Sequence, residues 1–215
     1  MMGIECVVLI PFIIKFKSLD VSGKSILYYI ASSVVFAGGS YVIQKLFGNN
    51  LWFFSVMNLV QFVILSIFYW HIIKNDTMRM VIKIMPVIIT IIFLIDFFLI
   101  EGMQNFNSIS AGARNFVIIF YGIFFFLQLL RDKDLIERAI YIDSLPSFWY
   151  NAGIFLYFCT SFMFNISYNF IIEAGMTPLM AITLVLSSIY FVGTISMILF
   201  YIGLTKEKKA SYANS

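Results

Sequence analysis

Charged residues punctuate this chain at wide intervals, and between them the sequence is almost continuously apolar. Such stretches run at about 25–43, 51–73, 81–100, 110–130, 146–172 and 178–204. Each matches the roughly 20 residues that an α-helix needs to cross a bilayer at about 1.5 Å per residue. The runs are continuous, not alternating, which excludes an outer-membrane barrel. Pro86, Pro146 and Pro178 fall near the first turns of spans, where a missing N–H costs little. The pattern therefore predicts six transmembrane helices. A further apolar run, Cys6–Ile14, is short and broken by Pro11. Residues 1–14 read either as a genuine first helix or as an interfacial or re-entrant segment. They lack the basic n-region and the small-residue cleavage site of a signal peptide. The expected fold is an all-α polytopic membrane protein: a single transmembrane domain of seven helices, or six if the first segment does not span, with 205–215 as a cytoplasmic tail.

The basic residues orient the bundle. Lys15, Lys17 and Lys24 flank the first loop, Lys74, Arg79 and Lys83 the third, and Arg131, Lys133 and Arg138 the fifth, while Lys206, Lys208 and Lys209 follow the last span. These are twelve of the 14 lysines and arginines; only Lys45 and Arg114 fall on the other side. The positive-inside rule then puts the N-terminus outside and the C-terminus in the cytoplasm. Trp52 lies at an outer helix end and Trp70 and Trp149 at inner ends, as an aromatic belt requires.

Composition narrows the class. Of 215 residues, 61% are hydrophobic and 12% charged, against about 25% charged in an ordinary soluble domain. Mean hydropathy is +0.96. A soluble globule and a disordered chain are both excluded, and two cysteines, Cys6 and Cys159, make no disulfide scaffold. The net charge of +3 reflects topology, so no nucleic-acid partner is expected. The partner implied outright is the lipid bilayer, and the Phe/Ile-rich composition points to a bacterial inner membrane.

Polar residues within spans carry the functional expectation, because they are costly in a bilayer. Span six places Tyr157, Ser161, Asn165 and Asn169 at i+4 steps, and span seven carries a second stripe of Thr183, Ser187, Tyr190, Thr194 and Tyr201. Span two holds Tyr29, Ser33 and Ser40, with Gly38–Gly39 allowing close helix approach. Asn58 and Gln61 in span three, Asp96 in span four, and Arg114 and Asn115 in span five complete the set. Interhelical hydrogen bonding alone would account for many of these groups. In the expected orientation, however, the strongest of them gather toward the outer leaflet. The expectation is an outward-facing polar cavity among spans three to six, with ligand-binding candidates Asp96, Arg114, Asn115, Asn58, Gln61, Asn165 and Asn169. An ionised Asp96 at a helix centre would cost about 2.5–3.5 kcal/mol, so a partner is expected for it. Arg114 is the natural candidate.

No catalytic constellation is apparent. One histidine, His71, excludes multi-His metal sites, and neither His-Glu-x-x-His nor Gly-x-Ser-x-Gly occurs. No phosphate-cradling glycine loop is present, and no cofactor or metal is implied. The chain is not expected to be an enzyme.

The segment Leu145-Pro146-Ser147-Phe148-Trp149, followed by Gly153 and Tyr157-Phe158, resembles the small seven-helix membrane regions that occur in some bacteria alone or ahead of histidine kinases. The resemblance implies a sensor-like role. Thr205–Ser215 would be too little for an output module, so signalling would pass to a separate cytoplasmic or membrane partner. The expected function is a receptor-like or regulatory membrane protein; a small-solute carrier or channel is the alternative. A polar path continuing inward past Gln128 and Asn151 would favour the carrier. The charged loop Arg131–Asp143 is the expected transmitter.

Overall fold

The structure is a computed structural model that describes residues 2–100, 102, 107–133, 135, 141–173 and 178–213. Side chains are described at all of these except 2, 108, 164–173, 178–182, 184–186 and 208–213. Seven helices are described: α1 (Met2–Ile14), α2 (Val21–Phe47), α3 (Leu51–Ile72), α4 (Asp76–Ile95), α5 (Ser108–Arg131), α6 (Pro146–Glu173) and α7 (Pro178–Ala213). Among the described residues there is no strand. Five stretches are long and apolar enough to cross a membrane: Val21–Phe47, Leu51–Ile72, Asp76–Ile100, Ile109–Arg131 and Ser187–Glu207. The chain is a helical multi-pass membrane protein.

Its polarity is inverted as a lipid solvent demands. Large apolar side chains such as Val7, Leu46, Leu99 and Phe191 face outward, while Arg114, Asn115, Gln61 and Asn151 are buried.

Local signals set the helix ends. Asp20 caps α2 by accepting from the Gly23 N–H at 2.6 Å. Gly48, at φ +72°, closes the same helix in the left-handed conformation, and its N–H reaches the Gln44 carbonyl. Asn75 accepts from the Met78 N–H at 2.9 Å and starts α4 at Asp76. This earlier start places Pro86 inside the helix and not in its first turn. The helix after Leu204 likewise runs on to Ala213, through residues expected to form a tail.

Six helices form a ring in the order α1, α2, α3, α5, α6, α7, with α7 returning to α1. Helix α4 packs outside it on α3 and α5. Helix α1 is a full member of the ring, since Phe12 is wholly buried and Val8 nearly so. Its 13 residues reach about 20 Å.

One end of the ring is solidly packed. Phe12, Leu65, Phe68, Tyr69, Tyr150 and Leu204 have no exposure. Asn151 on α6 ties three helices together there: its Oδ1 accepts from the Tyr69 hydroxyl at 2.8 Å, and its Nδ2 donates to the Gly122 carbonyl at 3.3 Å. Gly203 lets α7 close on Tyr150; a Cβ at Gly203 would stand 2.5 Å from that ring. Glu207 fastens the same end, accepting from the Tyr150 hydroxyl at 3.1 Å and from the Asp20 main-chain N–H at 3.3 Å.

Candidate functional site

The opposite half of the ring is hollow. A cavity of about 470 Å³ lies among the six ring helices, within the range of small-molecule sites. Its wall uses the early residues of α1, α3 and α5 and the middle residues of α2, α6 and α7. The cavity therefore runs from one end of the bundle to mid-depth, where Phe200 borders both it and the Tyr150 ring of the packed region.

Arg114 is the principal polar feature of the wall. Only 9% exposed, its guanidinium donates from Nη1 to Asn58 Oδ1 at 2.7 Å and to the Asn58 main-chain oxygen at 3.2 Å. Its Nε and Nη2 donate to Asn115 Oδ1 at 3.2 and 2.9 Å. The Phe158 ring lies 5.5 Å from the guanidinium carbon. All of these partners are neutral, and among the described residues no carboxylate comes within ion-pair distance of Arg114. A buried cation held by amides and an aromatic face keeps its charge available to something that enters the cavity.

The expected pairing of Arg114 with Asp96 does not form. Asp96 sits where α4 passes into a π-turn (Asp96–Ile100) and is wholly buried. Its Oδ2 accepts from the Ser110 N–H at 2.9 Å, in the first turn of α5. The free N–H groups and positive end of that helix take the role expected of the arginine. Asp96 does not line the cavity, and α4 borders only a separate space of about 20 Å³ through Ile89 and Phe93. The cavity thus lies among helices α1, α2, α3, α5, α6 and α7, and not among the expected spans three to six.

The other candidates divide. Asn58, Gln61, Arg114 and Asn115 meet at the cavity. Gln61 is positioned by its Nε2, which donates to Ser33 Oγ at 3.0 Å. The side chains of Asn165 and Asn169 lie outside the described residues. In span seven, the stripe of Thr183, Ser187 and Tyr201 is exposed on the outer surface. Of that stripe only Tyr190 borders the cavity, which α7 otherwise lines with Ile189, Ser196, Met197 and Phe200.

Sequence reasoning missed Glu5. It is 5% exposed and lines the cavity from α1, with no hydrogen bond or ion pair among the described residues. Its signal was available, as an acid set between Ile4 and the run from Cys6. Tyr29 and Tyr157 also line the wall. An acid and a base, Glu5 and Arg114, therefore line one cavity together with two phenols. Such a site can hold a small polar molecule by charge and hydrogen bonds. Comparison with protein families, with curated proteins and with solved structures returned no match.

Proposed function

We propose that this chain is a receptor-like protein of a bacterial inner membrane, with seven spans, the N-terminus outside and the C-terminus in the cytoplasm. A small polar ligand enters the central cavity from outside, and the bound state is passed to a separate partner protein. The supporting observation is the one-sidedness of the hollow. It occupies the half of the ring that the basic-residue pattern assigns to the outside. The inner half is filled by fully buried side chains from Phe12 to Leu204. A carrier would need polar continuity past Gln128 and Asn151. Asn151 is already spent on Tyr69 and Gly122. Gln128 caps the end of α3, donating to the Ile72 carbonyl at 3.1 Å and accepting from the Lys74 N–H at 2.7 Å. Gln128 also borders an open depression of about 500 Å³ with Lys74, Arg131 and Asp132, and no residue lines both this depression and the central cavity, which favours the receptor over the carrier.

Cysteine accessibility tests this reading. In a background carrying Cys6→Ser and Cys159→Ser, single cysteines are introduced at Asn49, Ser40, Ser161 and Asn75. A membrane-impermeant maleimide is applied to intact cells and to inverted vesicles. Labelling of Asn49→Cys, Ser40→Cys and Ser161→Cys from outside alone, and of Asn75→Cys from inside alone, supports the proposal. Reaction of Ser161→Cys from both sides makes the protein a carrier, and reversed sidedness at Asn49 and Asn75 overturns the topology.

A further inference from the structure

We propose that the cavity binds a zwitterion of amino-acid type, its carboxylate on Arg114, its ammonium group on Glu5 and an apolar body between them. The inference rests on the reading of the cavity as a ligand site and goes further by naming the chemistry.

The two buried charges are the starting point. Glu5 and Arg114 are both more than nine-tenths buried, line the same cavity and stay farther apart than an ion pair. Isolated charges in a bilayer interior are expensive. Two opposite ones held apart across a hollow are best satisfied by a guest carrying the complementary pair. A simple anion would answer Arg114 but leave Glu5 facing a like charge, and a simple cation would do the reverse.

The rest of the wall fits such a guest. Tyr29 and Tyr157 line the same cavity and supply phenolic donor and acceptor groups for a short zwitterion. Phe36, Phe54, Met197 and Phe200 supply an apolar surface for a side chain. Arg114 is already oriented by Asn58 and Asn115, and an arginine fork presents parallel donors to a carboxylate.

The test uses the full chain in lipid nanodiscs and equilibrium binding of each proteinogenic L-amino acid. The tightest binder is then compared with its deamino carboxylic acid and its decarboxylated amine. Loss of either charged group is expected to weaken binding about 30-fold or more. Glu5→Gln should erase the preference for the amino acid over the deamino acid, and Arg114→Gln should erase the preference over the amine. The comparison within the wild-type protein stands even if Arg114→Gln fails to fold. Equal binding of the amino acid and the deamino acid overturns the zwitterion and leaves an anion-binding receptor cavity. Unchanged affinity in Glu5→Gln likewise overturns it. Absence of binding by every amino acid overturns it too, while the cysteine labelling decides separately whether the receptor reading stands.

Discussion

Asn58 on α3 holds Arg114 on α5 with both of its oxygens, the side-chain Oδ1 at 2.7 Å and the main-chain oxygen at 3.2 Å. This amide, and not an acid, anchors the buried guanidinium and leaves its charge uncompensated toward the cavity. Asn58→Leu removes a hydrogen bond to a charged group and should lower stability by about 1.5–3 kcal/mol, read as an earlier thermal unfolding midpoint in detergent. Asn58→Asp should keep the fold but neutralise Arg114, weakening carboxylate-bearing ligands selectively in the same binding assay.

Asp96 serves the start of α5 and lies away from the cavity. Asp96→Asn retains an oxygen for the Ser110 N–H and loses only the charge–dipole interaction, a cost of about 0.3–1 kcal/mol. Asp96→Leu removes the acceptor as well, a loss of about 0.5–2 kcal/mol. Neither should change ligand affinity. A binding defect in a well-folded Asp96→Asn protein would show that Asp96 belongs to the ligand site after all.

Tyr69 and Asn151 test the packed end of the ring. Tyr69→Phe deletes one interhelical hydrogen bond, worth about 0.6 kcal/mol on average within membranes. Asn151→Leu should cost more. It strands the Tyr69 hydroxyl, removes a second hydrogen bond to the Gly122 carbonyl, and crowds the site where a Cβ on Gly122 would already come within 3.3 Å of Asn151. Reversible unfolding in mixed micelles should rank the two variants in that order.

Glycines on two faces of the bundle should respond in opposite ways to alanine. Gly203→Ala drives a methyl toward the Tyr150 ring and within 3.2 Å of the Pro146 carbonyl. Overpacking of this kind costs about 1–3 kcal/mol. Gly112 in α5 has nothing within 4 Å of the Cβ position, so Gly112→Ala should be neutral or stabilise by up to about 1 kcal/mol through helix propensity. Thermal midpoints of the two variants, compared with the parent, check the contrast.

Much of the fold was legible in the chain because lipid imposes a one-dimensional constraint. An uncharged run long enough to cross the hydrocarbon must satisfy its backbone internally, and a helix does so without help from any neighbour. The spans could therefore be read one at a time. Pro86 shows where that reading slips: the Asn75 cap, four residues before Arg79, begins α4 earlier than the hydropathy pattern does.

The candidate site was legible only in part, for a geometric reason. Asn58, Gln61, Arg114 and Asn115 stood out as costly groups within spans, and they converge on one cavity. Asp96 stood out equally and does not, because the dipole of a neighbouring helix end answers a buried charge as well as an arginine can. The stripe of Thr183, Ser187 and Tyr201 shows that helical spacing identifies a face without telling what that face meets.

From the sequence alone follow the helical class, the apolar spans and the supply of polar groups, since each depends on local hydropathy and backbone hydrogen bonding. The tertiary structure decided the rest. It put α4 outside the ring, brought Glu5 of α1 to the same cavity as Arg114, and closed the half of the bundle around Tyr69, Tyr150 and Asn151. These outcomes depend on which helix packs against which, and that is set by the shape of side chains such as Phe200 against Gly153, where van der Waals contact and not polarity selects the neighbour.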